Sequence, residues 1–169
     1  MMLFAMKHLH ELGFDDYDQI TLLFNGDEEI SSPSSRKLTA ELAPQHDCYL
    51  CCESGQEGDG LVRSRKGSNL LQLRVTGVPS HSGNAPKKGA SALMEILHQI
   101  EAIKKLEDVS RGTTLNFTLL KAGERDNIIP SHAEATADLR VVDKSEIDRV
   151  EKAAQAIAAR PLIPQTTVE

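Results

Sequence analysis

Apolar and polar positions follow different periods in the two halves of this chain. Residues 3–12 carry apolar side chains at helical intervals and stop at Gly13, the pattern of a short amphipathic helix closed by a glycine. Ile20-Thr21-Leu22-Leu23-Phe24 is almost continuously apolar, which predicts a strand covered on both faces, as in a parallel sheet. Pro33 within residues 31–35 marks a helix entry, residues 37–42 predict a short helix, and residues 47–52 predict a second apolar strand closing at Glu53. A Gly-rich stretch, 55–60, then interrupts the pattern. Helix, strand, helix, strand is the order of a parallel α/β layer.

From Lys66 the period becomes two. Leu71, Leu73 and Val75 alternate with Gln72, Arg74 and Thr76, as do Leu115, Phe117 and Leu119, and then Ala135, Ala137, Leu139 and Val141 with their polar neighbours. Half-exposed antiparallel strands read this way. A helix is predicted over 90–106 with Leu93, Ile96, Leu97, Ile100 and Ile103 inward. A second opens at a capping box formed by Asp143 and Glu146 and turns Ile147, Val150, Ala154 and Ile157 inward. Residues 166–168 begin a last strand. The fold class is therefore α/β: a partial parallel-sheet layer over 1–65, then a split βαβ, ferredoxin-like βαββαβ domain over 66–169 whose last strand is cut short.

Composition narrows the function. The chain has 169 residues, 26% charged and 40% hydrophobic, which sets it apart from disordered and membrane-embedded chains. A net charge of -6 without a basic run argues against nucleic acid, and no apolar stretch is long enough to span a bilayer. Cys48, Cys51 and Cys52 are odd in number and lack a second pair, so neither a disulfide framework nor a zinc ribbon is expected.

Three features could carry chemistry. Glu28 and Glu29 follow an apolar strand where open α/β sheets place ligands, and Glu53 ends the second such strand. Two adjacent carboxylates repel, which is relieved when one binds a cation while the other handles a proton. His81 stands on a loop of small residues, Ser80-His81-Ser82-Gly83, where an imidazole can donate to a developing oxyanion. Arg140 has the polar parity of its strand, so it faces away from the helix-covered core, and guanidinium clamps carboxylates in a bidentate fork.

The ordered set Asn25-Gly26-Asp27-Glu28-Glu29, Cys52-Glu53, Arg65-Lys66-Gly67, Ser80-His81-Ser82-Gly83, Asn127-Ile128-Ile129-Pro130 and Ala137-Asp138-Leu139-Arg140 resembles the co-catalytic zinc peptidases and deacylases, in particular their glutamate carboxypeptidase branch. That resemblance runs over the whole chain. It implies a metallopeptidase with two Zn2+ per site that hydrolyses the amide bond of N-acyl amino acids or a C-terminal glutamate. Under it Glu28 is the general base, Glu29 and Glu53 ligate the metals, and His81 serves the partner subunit's site. Asn127 and Arg140 hold the substrate's carbonyl and carboxylate. It also implies a catalytic part over 1–65, a lid and dimerisation domain over 66–169, and a homodimer.

One departure matters most. The family's His-x-Asp motif, bridging Asp and final His ligand have no counterpart here, and His8 and His10 lack the spacing. Zinc sites take three or four protein ligands, so the site is expected to be incomplete and the chain a fragment, inactive alone, with the true N-terminus upstream. The other reading is a non-catalytic dimerisation or amino-acid-binding module. The cytoplasm is the favoured compartment.

Overall fold

The computed structural model describes residues 1–53, 57–58 and 60–169, so the Gly-rich stretch 55–60 lies partly outside the described residues. Two compact units make up the chain, Met1–Val62 and Arg63–Glu169.

In the first unit, α1 (Met2–Glu11) ends where Gly13 takes a left-handed φ of 68°. The Gly13 N–H donates to the His10 carbonyl and the Phe14 N–H to that of Leu9, both at 3.0 Å, closing the end in a Schellman motif. α2 (Arg36–Leu42) follows a turn through Glu28–Ile30. The two strands expected at 20–24 and 47–52 do not form: among the described residues neither joins a ladder. A parallel strand is held by neighbours on both sides and by helices over both faces. Here that cover is missing, and Phe24 and Leu50 stay 67% and 83% exposed. The unit buries no apolar side chain among its described residues.

The second unit carries the core. β1 (Gly67–Thr76), α3 (Ala92–Lys104), β2 (Thr114–Ala122), β3 (His132–Val141), α4 (Ser145–Ala158) and β4 (Thr167–Val168) follow in chain order, and the four strands form one antiparallel sheet in the order β2-β3-β1-β4. This is the βαββαβ topology. Alternation settles which side is buried: Leu73 and Val75 of β1 and Ala133, Ala135, Ala137, Leu139 and Val141 of β3 join Ile96, Ile103, Leu115, Val150 and Ala154 in the core. Each fully buried Ile or Leu among them contributes about 1.5–3 kcal/mol. The three alanines of β3 leave room for α3 to approach the sheet closely.

Three details depart from the sequence pattern. In β2 the register slips between Phe117 and Leu119, so Thr118 bulges: Leu119 opposes Thr136 and Leu120 opposes Ala135, and both leucines stay exposed, at 60% and 46%. On α3, Leu97 points to solvent, and Glu95 and Gln99 take its place among the buried positions. At α4 the Asp143 carboxylate accepts from the Ser145 N–H at 2.8 Å, and Glu146 turns inward instead of completing a capping box.

The inward Glu146 ties the turn before β2 to α4. It accepts from Arg149 Nη2 at 2.7 Å, from the Thr113 hydroxyl at 2.7 Å and from Arg111 Nη1 at 3.2 Å. The Arg149 bond first, then Thr113 and Arg111, hold its carboxyl down to about 2 against an ordinary 4.5. A folded value below the unfolded one gives stability that is full above the unfolded value and lost as pH falls toward the folded one. The urea midpoint should therefore fall between pH 4.5 and about 2, followed by far-ultraviolet circular dichroism. Glu146→Gln should flatten that slope. A wild-type midpoint that holds steady through the window contradicts this role.

Candidate functional site

Two loops meet at the end of the sheet where β1 leaves and β3 enters. Val78 and Ala90 exchange backbone bonds at 2.9 Å, the Ile129 N–H donates to the Ser80 carbonyl at 2.9 Å, and His81 bridges Ile128. The Ser82 N–H and hydroxyl both donate to the Asn127 carbonyl, at 2.9 and 3.1 Å. The Ala92 N–H reaches the Pro130 carbonyl at 2.8 Å, so the start of α3 is locked to the same pair of loops. The His81 and Asn127 backbones are thereby neighbours on one bonded frame, and both residues are exposed. The His81 Nδ1 accepts from the Gly83 and Asn84 N–H groups at 3.1 and 3.2 Å. At the same end of the sheet, a cavity of about 490 Å³ is lined by Lys121, Arg125, Ile128 and His132 together with Glu124 and Glu134.

Arg140 lies at the other end of the sheet. It pairs with Ser68 and Thr114, whereas the two loops leave from Thr76 and His132. From His132 to Arg140 along β3 is roughly 26 Å at about 3.3 Å per residue. Its side chain stands on the open face, where Nε donates to both Asp138 oxygens at 3.1 and 2.9 Å. The Nη1 and Nη2 fork has no partner among the described residues. The chain therefore keeps the His81 and Asn127 backbones at one end of the sheet and Arg140 at the other.

Glu28 and Glu29 sit in the short turn Glu28–Ile30, both exposed, and Glu53 is exposed at a bend. Asp27 organises that turn. Its Oδ2 accepts from the Ser34 N–H at 2.8 Å, which also holds its carboxyl below the ordinary range, and Ser31 and Ser32 adopt left-handed φ angles. Among the described residues no group of three or more His, Cys, Asp and Glu side chains could hold a metal ion. Zinc sites call for three or four protein ligands, usually with imidazole or thiolate among them. As arranged, the described carboxylates do not fit a zinc centre by themselves.

Sequence reasoning missed the polar contacts that organise the site. Nothing in the spacing of Ser82 and Asn127 announces that two distant loops zip together. Gly83 and Asn84, which bond the His81 ring, carried only the turn signal of a Gly-Asn pair.

Residues 63–166 match the family model described as the peptidase dimerisation domain. Carboxypeptidase G2 of Pseudomonas sp. (strain RS-16) is 35% identical over 170 residues, an alignment that takes in 100% of this chain and 41% of that protein. A p-aminobenzoyl-glutamate hydrolase homolog of Haemophilus influenzae is 36% identical over 76 residues, 44% of this chain and 18% of that one. The chain thus spans about two fifths or less of the length of these relatives. Among solved structures, the aminobenzoyl-glutamate utilization protein of Klebsiella pneumoniae superposes with a TM-score of 0.52 at 21% identity, over 56% of this chain and 24% of that one. A hydantoinase/carbamoylase family amidase of Burkholderia multivorans gives 0.51 at 18% identity, over 62% and 27%. At these identities the likeness is one of fold.

Proposed function

Because the chain belongs to the peptidase dimerisation domain family, we propose that it forms the dimer-building and substrate-holding part of a zinc-dependent carboxypeptidase or amidohydrolase, and that it does not turn over substrate alone. The substrates are N-acyl amino acids or peptides with a C-terminal glutamate, and the partner is a second copy of the chain. The relatives named above, carboxypeptidase G2 and an aminobenzoyl-glutamate hydrolase homolog, support an amide bond beside a free carboxylate.

The observation that carries this reading is the split between the two ends of the sheet. His81 and Asn127 share one end, and Arg140 lies at the other with a guanidinium fork that has no partner among the described residues. In a two-fold pair, Arg140 of one copy clamps the substrate carboxylate while the other copy brings an imidazole donor and a carboxamide to the scissile carbonyl. A fork that already rests its Nε on Asp138 is held in place for that contact. Glu28 is assigned the proton transfer, and Glu29 and Glu53 a share of metal ligation completed by residues this chain does not supply.

Sedimentation and hydrolysis assays on the purified chain test this together. The expected result is a dimer at tens of micromolar and no release of glutamate from N-acyl glutamates with zinc added. A strict monomer, or turnover by the chain alone, overturns it.

A further inference from the structure

The His81 ring is held by the turn that follows it. Its Nδ1 faces two backbone donors, the N–H groups of Gly83 at 3.1 Å and Asn84 at 3.2 Å. The His81 carbonyl accepts from the Ala85 N–H at 3.0 Å, and its backbone bridges Ile128. Side chain and main chain are thus pinned together, in the way an Asn or Ser side chain caps the turn it opens. A backbone N–H can only donate, so Nδ1 must accept and cannot carry the proton of the neutral ring. That proton is left on Nε2, which has no hydrogen-bond partner among the described residues.

We infer that Gly83 and Asn84 are positioning residues: their backbone N–H groups lock His81 in the Nε2–H tautomer and leave that N–H as a preset donor. In a free imidazole the two tautomers interconvert, and a donor aimed at an oxyanion would have to be selected each time. Here the selection is built into residues 81–85. The neighbouring turn does not crowd the ring, since a Cβ at Gly83 would lie 3.6 Å from the His81 Cε1, an ordinary contact. The tautomer stands on geometry alone, while the use of the donor for an oxyanion rests on the hydrolase reading above.

Two measurements on the 169-residue chain test it. Long-range proton–nitrogen correlation of the imidazole rings at about pH 8, above the ordinary histidine range, should show His81 with an unprotonated Nδ1 and a protonated Nε2. Amide hydrogen exchange should then show the Gly83 and Asn84 N–H groups losing protection about fivefold to tenfold in His81→Ala. His81→Asn, whose carboxamide oxygen falls near the Nδ1 position, should keep that protection. A protonated Nδ1 or a mixture of tautomers in the unsubstituted chain overturns the inference, and so does unchanged exchange in His81→Ala. Either failure leaves the dimer and hydrolase assays untouched, and a failure of those assays leaves the tautomer standing.

Discussion

Gly77→Ala should destabilise the second unit more than a methyl group added at any of its other glycines. A Cβ at position 77 would overlap the Ala90 carbonyl oxygen and lie 3.0 Å from the Ala92 nitrogen. Both obstacles are backbone atoms, and neither can yield cheaply. Moving Ala90 breaks its paired bonds to Val78, and moving Ala92 breaks the bond to the Pro130 carbonyl at 2.8 Å. Ala90 and Ala92 are also buried, so their shift opens the core. Overpacking of this kind costs about 3 kcal/mol when nothing relaxes, which for a domain of this size lowers Tm by on the order of 10 °C. The same change at Gly83 should be nearly neutral, because only the His81 ring lies near the new methyl and at an ordinary distance. Urea midpoints of the two variants separate the effect of a clash from that of losing a glycine. Equal midpoints would mean that the loop crossing is not a tight contact in solution.

The contrast between these two glycines also bears on what a sequence can reveal. Both stand in the same Gly- and Ser-rich loop and read alike as turn residues. Only the approach of the Ala90–Ala92 backbone, where the same loop returns to open α3, makes one of them irreplaceable. The strands β1 and β3 were legible because each is covered on one face only, so burial writes itself into alternate residues. β2 was legible up to Phe117. Past it, two adjacent leucines fit either parity, and the bulge at Thr118 that chooses between them is a matter of cross-strand register.

The first unit shows the opposite failure. Its apolar runs at 20–24 and 47–52 carry the mark of cover on both faces, and the chain does not provide that cover. At the candidate site, residue type alone put His81, Asn127 and Arg140 forward as candidates, and the outward parity of Arg140 was legible. Their grouping was not, because it depends on loops that meet through backbone bonds and on the direction in which β3 separates its two ends.

Glu95→Ala should release the C-terminal segment from the sheet while leaving β1, β2 and β3 paired. Glu95 is fully buried on the core face of α3. All of its hydrogen-bond partners are N–H donors. One oxygen accepts from the backbone of Leu162 at 2.9 Å and Ile163 at 2.7 Å, the other from Gln99 Nε2 at 2.7 Å. Truncation strands three donors and leaves a void, at about 1–3 kcal/mol for each group that water cannot reach. The loop can open to water, so the net cost should settle near ~3 kcal/mol rather than at the sum. Opening is the expected signature: exchange at Leu162 and Ile163 should accelerate, together with the Glu169 amide that donates to the Arg74 carbonyl at 2.8 Å. Glu95→Gln should cost only about 1 kcal/mol, the worth of a typical net hydrogen bond. Its carbonyl can keep both backbone donors, and its NH₂ can meet the Gln99 Oε1, which is buried without a partner in the native arrangement. A Glu95→Ala protein with native Tm and protected Leu162 and Ile163 amides would show that the buried carboxylate does not hold the segment, and that β4 is kept in place by its short ladder to β1 alone.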